Sequence, residues 1–331
     1  MAKTGRQSEP AAGQEGIYMT QEEYARRARA YREEIEAGLE RLLPEGGSPE
    51  GIPALLGESM RYSLLAGGKR LRPVLLLAAA DMLGGGEGAL TCAFALEIIH
   101  TYSLIHDDLP GMDNDTLRRG RPTNHVVYGE GQAILAGDGL LTYAFECVLR
   151  DACARDAEAA LRELRALRRI AEAAGCGGMV AGQCADLACE RRRGQMKGVV
   201  ADEETGPAEM LAYIHRRKTA RMLMAPFEAA CELTGADDDM RARLMRFAEP
   251  FGLLFQVVDD YLDACGDSAA LGKSVGKDAS SGKLTYVSLY GIERTLEIRD
   301  ELAGQARMAL KDIPDGGFLA WELETMARRD R

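Results

Sequence analysis

Two clusters of aspartates, roughly 150 residues apart, each lie at the end of an apolar stretch of the chain. Their members are Asp107, Asp108, Asp113 and Asp115 in the first cluster and Asp259, Asp260, Asp263 and Asp267 in the second. Neighbouring carboxylates repel one another and resist burial, so apolar surroundings tolerate them best where a cation binds. The pattern predicts a cavity in which divalent metal ions connect carboxylates to a polyanion, such as a diphosphate.

The second cluster has the simpler geometry. Asp259 and Asp263 are four residues apart, so on a helix they share a face, and Gln256 lies about one turn earlier on that face. Carboxylates about 6 Å apart suit hard divalent ions that keep several of their waters. A solvated acidic helix end, neutralised by nearby lysines, is the alternative. The apolar neighbours Phe255 and Leu262 argue against it, because a solvated face does not need them.

The first cluster needs a break in its helix. Asp107 and Asp113 are six residues apart and would not share a face of an unbroken helix. Pro110 and Gly111 supply the break, and we expect the chain to loop so that Asp113 returns toward Asp107. The alternative is a surface loop held together by ion pairs.

Basic residues accompany the acidic ones. Arg118 and Arg119 follow the first cluster directly, and guanidinium groups bind phosphate oxygens through paired hydrogen bonds. A second basic segment, Gly67–Pro73, carries Lys69 and Arg72 just before a predicted helix, where free N–H groups point outward. Acidic and basic groups in this arrangement suit a metal–diphosphate complex.

Composition restricts the possible classes of protein. The 331 residues carry a net charge of −11 and a pI near 5.1, which argues against general nucleic-acid binding. The eight cysteines show no CxxC spacing and are expected to be reduced. No signal peptide is evident, and no uncharged apolar run reaches the ~18 residues of a membrane span. We therefore expect a cytoplasmic protein without a membrane span.

Apolar periodicity and low aromatic content (6%) predict one all-α domain, a bundle of about ten or more helices around a central cavity, over residues 19–331. Residues 1–18 are polar and are expected to form a flexible tail. Charged loops are expected at 191–206 and 266–282. The expected helices cover residues 20–43, 51–66, 73–83, 88–109, 130–150, 156–174, 176–190, 207–234, 238–264 and 284–310.

Taken together, these segments resemble the motifs of the trans-prenyl diphosphate synthases, and most closely those of bacterial-type farnesyl diphosphate synthases. The aspartate-rich and basic motifs of that family resemble Leu96–Thr123, Phe255–Asp263 and Gly67–Pro73. Its remaining motifs resemble Ala181–Leu187, His215–Thr219, Lys273–Asp278 and Lys283–Tyr286. All stand in the family's order, over roughly residues 25–331.

The resemblance implies a reaction and a set of site residues. The expected enzyme joins isopentenyl diphosphate to an allylic diphosphate (dimethylallyl or geranyl), with magnesium, or else manganese, as cofactor. The implied metal ligands are Asp107, Asp108, Asp113, Asp259, Asp260 and Asp263. The allylic diphosphate would contact Arg118, Lys218, Gln256 and Lys273, and isopentenyl diphosphate would contact Lys69, Arg72, His100 and Arg119.

Some residues have a more specific implied role. The expected catalytic residues are Lys218, Thr219, Gln256 and Lys273. Thr219 and Gln183 would line the space near the reacting carbons, and Asp186 would support Lys218 or a metal. Lys283 completes the expected substrate-binding set.

Product length is expected to depend on Tyr102 and Ser103, which lie about one helical turn before Asp107. Tyr102 is bulky and would form the floor of the product pocket, whereas Ser103 is small. Together with the Pro110–Gly111 insertion, this tyrosine resembles the bacterial-type farnesyl diphosphate synthases, so farnesyl diphosphate is the expected product. Geranylgeranyl or geranyl diphosphate is the alternative product, and simple packing between helices is the alternative role of Tyr102.

Two other classes of protein are possible in principle. A non-catalytic regulatory subunit of the family would be expected to lose aspartates from one cluster, and here both are intact. A helical divalent-ion buffer would gain nothing from the nearby cations. The chain departs from the family's motifs at Ala220, where glycine is usual, and at Val287, where proline is usual. The resemblance also implies a homodimer, and His106 is expected to be structural.

Overall fold

The structure is a computed structural model that describes residues 19–44, 51–191, 206–265 and 283–329. Most of this part of the chain is helical, with a short antiparallel hairpin of β1 (Leu117–Arg118) and β2 (Arg121–Pro122). A π-helical turn, Arg216–Ala220, joins α9 to α10. The helices are α1 (Gln21–Leu42), α2 (Ala54–Leu64), α3 (Leu71–Met82), α4 (Ala89–Asp107), α5 (Asn124–Tyr128), α6 (Glu130–Cys153), α7 (Ala157–Ala174), α8 (Met179–Arg191), α9 (Pro207–His215), α10 (Arg221–Thr234), α11 (Asp238–Cys265), α12 (Tyr286–Leu310) and α13 (Gly317–Ala327).

Local signals set several helix ends. The hydroxyl of Thr20 accepts a hydrogen bond from the backbone N–H of Glu23 at 3.2 Å, which caps α1 at the residue where the first expected helix begins. Asp156 caps α7 in the same way, through the N–H groups of Glu158 and Ala159. Gly235 takes the left-handed conformation that ends α10. These short-range interactions are readable from the sequence because each involves residues two to four positions apart.

Helix α4 forms the centre of the core. It packs against α3 and α6, and every residue from Cys92 to Ile99 is buried. Among the described helices it alone is long and apolar enough to cross a membrane, and 67% of its most apolar window is buried inside the protein. A helix that is apolar on all sides belongs inside a core. The first aspartate cluster therefore lies at the C-terminal end of a buried core helix.

A second group of helices carries the other cluster. Helix α11 packs along α12, and α10 packs against α3 and α7. The rings of Phe227, Phe247 and Phe251 are fully buried between them, with Phe247 and Phe251 stacked at 5.3 Å between ring centroids. This packing fixes the part of α11 that precedes Asp259.

The predicted all-α class is confirmed, and the predicted helices lie close to the observed ones. Three elements were not predicted: the hairpin, α5 and α13. The helix predicted over 207–234 is interrupted by the π-helical turn, and the one predicted over 88–109 ends at Asp107, shortly before Pro110. The expected tail 1–18 and most of the two expected charged loops lie outside the described residues.

Candidate active site

The first acidic cluster folds back on itself at the end of α4. Beyond Pro110, the backbone N–H of Asp113 donates to the carbonyl of Asp107 at 2.8 Å, and the N–H of Asp115 donates to the carbonyl of Asp108 at 3.1 Å. The break in the helix thus returns Asp113 to the side of Asp107. The expected loop is confirmed.

Each of these carboxylates is held by a side chain from elsewhere in the chain. The donors come from α8, from the hairpin and from the segment before α12. The pairs are Gln183 with Asp107 (2.8 Å), Arg118 with Asp108 (2.8 and 3.0 Å from Nε to the two oxygens) and Lys283 with Asp113 (3.1 Å). Gln183, Arg118 and Lys283, all expected from the sequence to line the substrate site, therefore do meet the first cluster.

The charge on Asp107 is unfavourable in this setting. Burial raises its pKa to about 6, with a further increase from Asp113 and Asp108, while Lys218 and Arg118 act in the opposite direction. Burial also raises the pKa of Asp108, although Arg118 opposes it. A cation bound beside these groups would relieve the repulsion between them.

The second cluster is built into a chain of hydrogen bonds. The hydroxyl of Thr219 donates to Gln256 Oε1 at 2.6 Å, and Gln256 Nε2 donates to Asp260 Oδ1 at 2.7 Å. The other oxygen of Asp260 accepts from the backbone N–H of Tyr286 at 2.8 Å. Asp263 is buried, and Oδ1 of Asp259 lies 4.0 Å from Nη1 of Arg329. Gln256, expected on the face of Asp259, donates its side-chain hydrogen bond to Asp260.

Lys218 projects from the π-helical turn toward Asp186 and the first cluster. Its ammonium donates to Asp186 at 2.6 Å, so the expected support of Lys218 by Asp186 is observed. Burial disfavours the charge on Lys218, but Asp186 and Asp107 outweigh burial and raise its pKa. His215, one turn earlier, was not predicted as a site residue. It is buried with Nε2 3.9 Å from Asp260 Oδ2, and burial lowers its pKa to about 3.

A cluster of cations lies beside the carboxylates. Burial lowers the pKa of Lys69, and the charge of Arg329 lowers it further. Burial, followed by the charges of Arg72 and Arg119, lowers the pKa of His100 well below its usual value, so its imidazole is neutral. The pKa of Arg72 is lowered to about 10 by burial, and its Nε has no hydrogen-bond partner within the described chain. Positive groups gathered in this way form a site for an anion.

The backbone beneath this cation cluster is fixed by an interaction that sequence reasoning missed. Arg70 is 2% exposed, adopts φ = 50° and donates to Glu97 at 2.6 Å, to Glu36 at 2.7 Å and to the carbonyl of Leu64 at 2.8 Å. Arg119 donates to the carbonyl of Gly67 in the same loop. One signal in the sequence points to the buried pair of Arg70 and Glu97: Glu97 is the single acidic residue of α4 before Asp107.

The residues expected to set product length lie on two faces of α4. Ser103 donates to the carbonyl of His100 at 2.9 Å and lies one turn before Asp107. Tyr102 is 7% exposed and meets the ring of His106 edge to face, at 5.8 Å between centroids. His106 in turn contacts the carbonyl of Ile134 on α6 at 3.1 Å.

The donor set suits magnesium in type, because all six predicted ligands are carboxylates and hard divalent ions prefer oxygen. Within the described ranges, no three His, Cys, Asp or Glu side chains come close enough together to hold one ion by themselves. Magnesium in proteins commonly uses one or two carboxylates together with waters and substrate phosphates. Separate groups of aspartates fit that mode of binding. Lys273, also expected at the site, lies outside the described residues.

Comparisons with known proteins agree with this geometry. The Polyprenyl synthetase family matches residues 53–313. A farnesyl diphosphate synthase of Geobacillus stearothermophilus is 47% identical over 282 residues, 84% of this chain and 90% of that protein. A heterodimeric geranylgeranyl pyrophosphate synthase large subunit of Arabidopsis thaliana is 48% identical over 256 residues, 77% of this chain and 66% of the plant protein.

Solved structures show the same fold. A Zymomonas mobilis FPP/GFPP synthase superposes with a TM-score of 0.74 at 32% identity, covering 93% of this chain and 98% of that one. A Helicobacter pylori geranyltransferase complexed with magnesium and isoprenyl diphosphate gives 0.73 at 30% identity, covering 91% and 96%. The resemblance drawn from the motifs is confirmed, and the chain belongs to the polyprenyl synthetase family.

Proposed function

We propose that this chain is a magnesium-dependent trans-prenyltransferase that joins isopentenyl diphosphate head-to-tail to an allylic diphosphate. The observation that carries the proposal is the closeness of two oppositely charged groups of side chains. Nη1 of Arg329, whose charge acts on Lys69 of the cation cluster, lies 4.0 Å from Oδ1 of Asp259 in the second acidic cluster. A site with cations on one side and carboxylates on the other can hold two diphosphates next to each other, one directly and one through metal ions.

We assign the allylic diphosphate to the acidic side. Asp107, Asp108, Asp113, Asp259, Asp260 and Asp263 would hold magnesium there. Bound magnesium supplies charge neutralisation for a departing diphosphate. Lys218 adds a fixed positive charge on the same side, because Asp186 holds its ammonium at 2.6 Å. Arg118 adds a second, held by Asp108.

We assign isopentenyl diphosphate to the cation cluster. Lys69, Arg72 and Arg119 would bind its phosphate oxygens, and the neutral His100 would donate one hydrogen bond without adding charge. The bond from the allylic carbon to its diphosphate breaks, the alkene attacks the resulting allylic cation, and a proton then leaves to an oxygen of the released diphosphate. Since the leaving group accepts the proton, the reaction needs no protein nucleophile.

Thr219 and Gln256 would lie between the two sides. Their hydrogen bond, and the one from Gln256 to Asp260, fix three polar groups relative to one another. We infer that they keep the reacting carbons in line with the leaving group. A positively charged allylic intermediate survives only where water is excluded, so this ordered network matters as much for keeping water out as for orientation.

We propose farnesyl diphosphate as the product. The support is Tyr102, a large buried side chain one turn before the acidic cluster. Relatives named as farnesyl and as geranylgeranyl synthases are of similar identity, so identity alone does not choose between them.

The test incubates the protein with isopentenyl and dimethylallyl diphosphates, with and without magnesium, and separates the products by chromatography. Magnesium-dependent formation of farnesyl diphosphate is the expected result. No condensation would contradict the proposed reaction, and geranylgeranyl diphosphate from the unaltered protein would contradict the proposed product. Tyr102→Ala should lengthen the product, whereas Tyr102→Phe, which keeps the ring, should leave product length unchanged.

We also propose that the protein is a homodimer. Helices α5 and α6 carry exposed apolar side chains, and Leu135 and Leu149, fourteen residues apart, share one face of α6. Val126 and Val127 on the adjoining α5 extend this surface. A second copy of the chain would cover it. Light scattering coupled to size exclusion should give twice the chain mass, and Leu135→Glu should shift the mass toward that of a monomer.

A further inference from the structure

The π-helical turn carries two site residues that are adjacent in the sequence. Arg216–Ala220 interrupts what is otherwise one long helix, and the N–H of Arg221 bonds back to the carbonyl of Arg216, five residues earlier. Lys218 and Thr219 both lie in this wide turn. Their side chains make different contacts, with Asp186 and with Gln256 respectively. The position of this single turn therefore determines where both groups meet the substrate.

Helix α8 approaches one side of the turn at Gly182. A Cβ built at Gly182 would lie 2.2 Å from the backbone nitrogen of Lys218 and 2.7 Å from its Cα. The next residue on α8, Gln183, donates to Asp107, and Asp186 one turn later holds Lys218. The distance between α8 and the turn is thus set by the missing side chain at Gly182. This distance affects two hydrogen bonds on the acidic side, from Gln183 to Asp107 and from Lys218 to Asp186.

Helix α11 approaches the other side at Gly252. A Cβ built there would lie 2.9 Å from the Cα of Ala220 and 3.1 Å from its Cβ. Gln256 lies one turn further along α11 and accepts the hydrogen bond from Thr219. Ala220 is also the position at which this chain carries a methyl group where the family's motif usually has glycine.

We propose that Gly182 and Gly252 are positioning residues for prenyl transfer. They let α8 and α11 hold the π-helical turn from opposite sides, so that Lys218 and Thr219 keep their places relative to the acidic clusters. Gly252 in addition makes the room that Ala220 requires. This inference rests on the proposed function, because it concerns the placement of groups in that reaction.

The first test is Gly182→Ala. To reach the 3.4 Å of ordinary contact, the new Cβ and the backbone nitrogen of Lys218 must separate by about 1.2 Å. A displacement of about 1 Å at a reacting group can lower a rate by roughly 10²-fold, so we expect kcat to fall on that scale. KM for isopentenyl diphosphate should stay unchanged, because the cation cluster lies on other elements. Gly304→Ala is the matched control, since its Cβ would meet nothing within 4 Å, and it should keep both constants.

A double-mutant cycle separates positioning from general destabilisation. If Gly182 acts by placing Lys218, then Lys218→Ala should cost much less kcat in the Gly182→Ala background than in the unaltered protein. Equal costs in both backgrounds would overturn this assignment. So would a Gly182→Ala variant with unchanged kcat, measured against an active unaltered enzyme. An inactive unaltered enzyme would instead remove the proposed function itself.

The second test does not depend on Gly182→Ala folding. Gly252→Ala should lower kcat, and Ala220→Gly in the same chain should restore part of it, because the closest side-chain atom is then removed. Ala220→Gly alone should leave kcat near that of the unaltered enzyme. Failure of Ala220→Gly to raise the kcat of Gly252→Ala would refute the pairing of these two residues.

Discussion

Replacing Arg70 with methionine tests how much the buried ion pair beneath the cation cluster stabilises the fold. Burial disfavours the charge of Arg70, but its hydrogen bonds to Glu36 and the charge of Glu97 outweigh burial and raise its pKa. Arg70 lies between Lys69 and Arg72 in sequence, so its side chain anchors the junction between the loop that carries Lys69 and the first turn of α3, which carries Arg72. The variant removes the anchor while keeping a long apolar side chain in the core.

The expected cost follows from what is left behind. Glu97 is 1% exposed, and its Oε2 already has no hydrogen-bond partner among the described residues. Without Arg70 its Oε1 also loses its donor, which leaves a buried carboxylate without its closest cation and without that hydrogen bond. Breaking a buried pair in this way costs about 3–5 kcal/mol, a large fraction of the ~5–15 kcal/mol that holds a typical domain folded.

Urea unfolding of Arg70→Met and Arg307→Met measures the difference directly. The Arg307–Glu324 pair is equally short at 2.6 Å, but its side chains are 47% and 28% exposed, so its loss should cost less than about 1 kcal/mol. Adding Glu97→Gln to Arg70→Met should recover part of the stability by removing the stranded charge. Equal losses of unfolding free energy in Arg70→Met and Arg307→Met would refute the reasoning. The stabilisation by each ion pair would then follow its N···O distance and not its burial.

Three further outcomes are expected. Burial raises the pKa of Glu163 to about 7, and Asp151 adds to it. In the folded state Glu163 therefore keeps its proton at pH values where the unfolded state has lost it. The contribution of Glu163 to the free energy of unfolding falls as pH rises from about 4.5 through 7. Glu163→Gln should remove about 1 kcal/mol of the loss between pH 6 and 8, as seen by urea unfolding at both pH values. Gly137→Ala would place a Cβ 2.1 Å from Nε2 of His106, and the clash should destabilise the fold by about 1–3 kcal/mol. Because the ring of His106 meets that of Tyr102, the variant should also alter product length. Chelating magnesium should abolish calorimetric binding of geranyl diphosphate but leave isopentenyl diphosphate binding intact.

The fold and the outline of the site were predictable because their signals are local. Apolar periodicity located the helices, and Thr20 fixed the start of the first one. Pro110, placed between two aspartates, predicted the loop that brings Asp113 back to Asp107. Pairing of Lys218 with Asp186 was expected from the family's motifs and is observed.

The rest depends on contacts between distant parts of the chain. Nothing in the residues of Arg216–Ala220 distinguishes a π-helical turn from an ordinary helical one, and the helices that pack against the turn, α8 and α11, come from other parts of the sequence. The hydrogen bond from the N–H of Tyr286 to Asp260 joins residues 26 positions apart. Burial of Arg70 by Glu36 and Glu97 likewise needs three separate elements, so no window along the sequence reveals it.

The direction of the pKa shifts divides the cations of the site into two groups. Lys218 and Arg118 have raised pKa values, because Asp186 and Asp108 outweigh the effect of burial. Lys69, Arg72 and Arg119 have lowered pKa values, because burial prevails there, with neighbouring cations adding to it at Lys69 and Arg119. Cations already balanced by carboxylates gain little from a bare anion, whereas buried cations that are not balanced in this way gain a great deal. The second group should therefore bind a diphosphate directly, and the carboxylate-rich side should bind one only when a metal ion accompanies it.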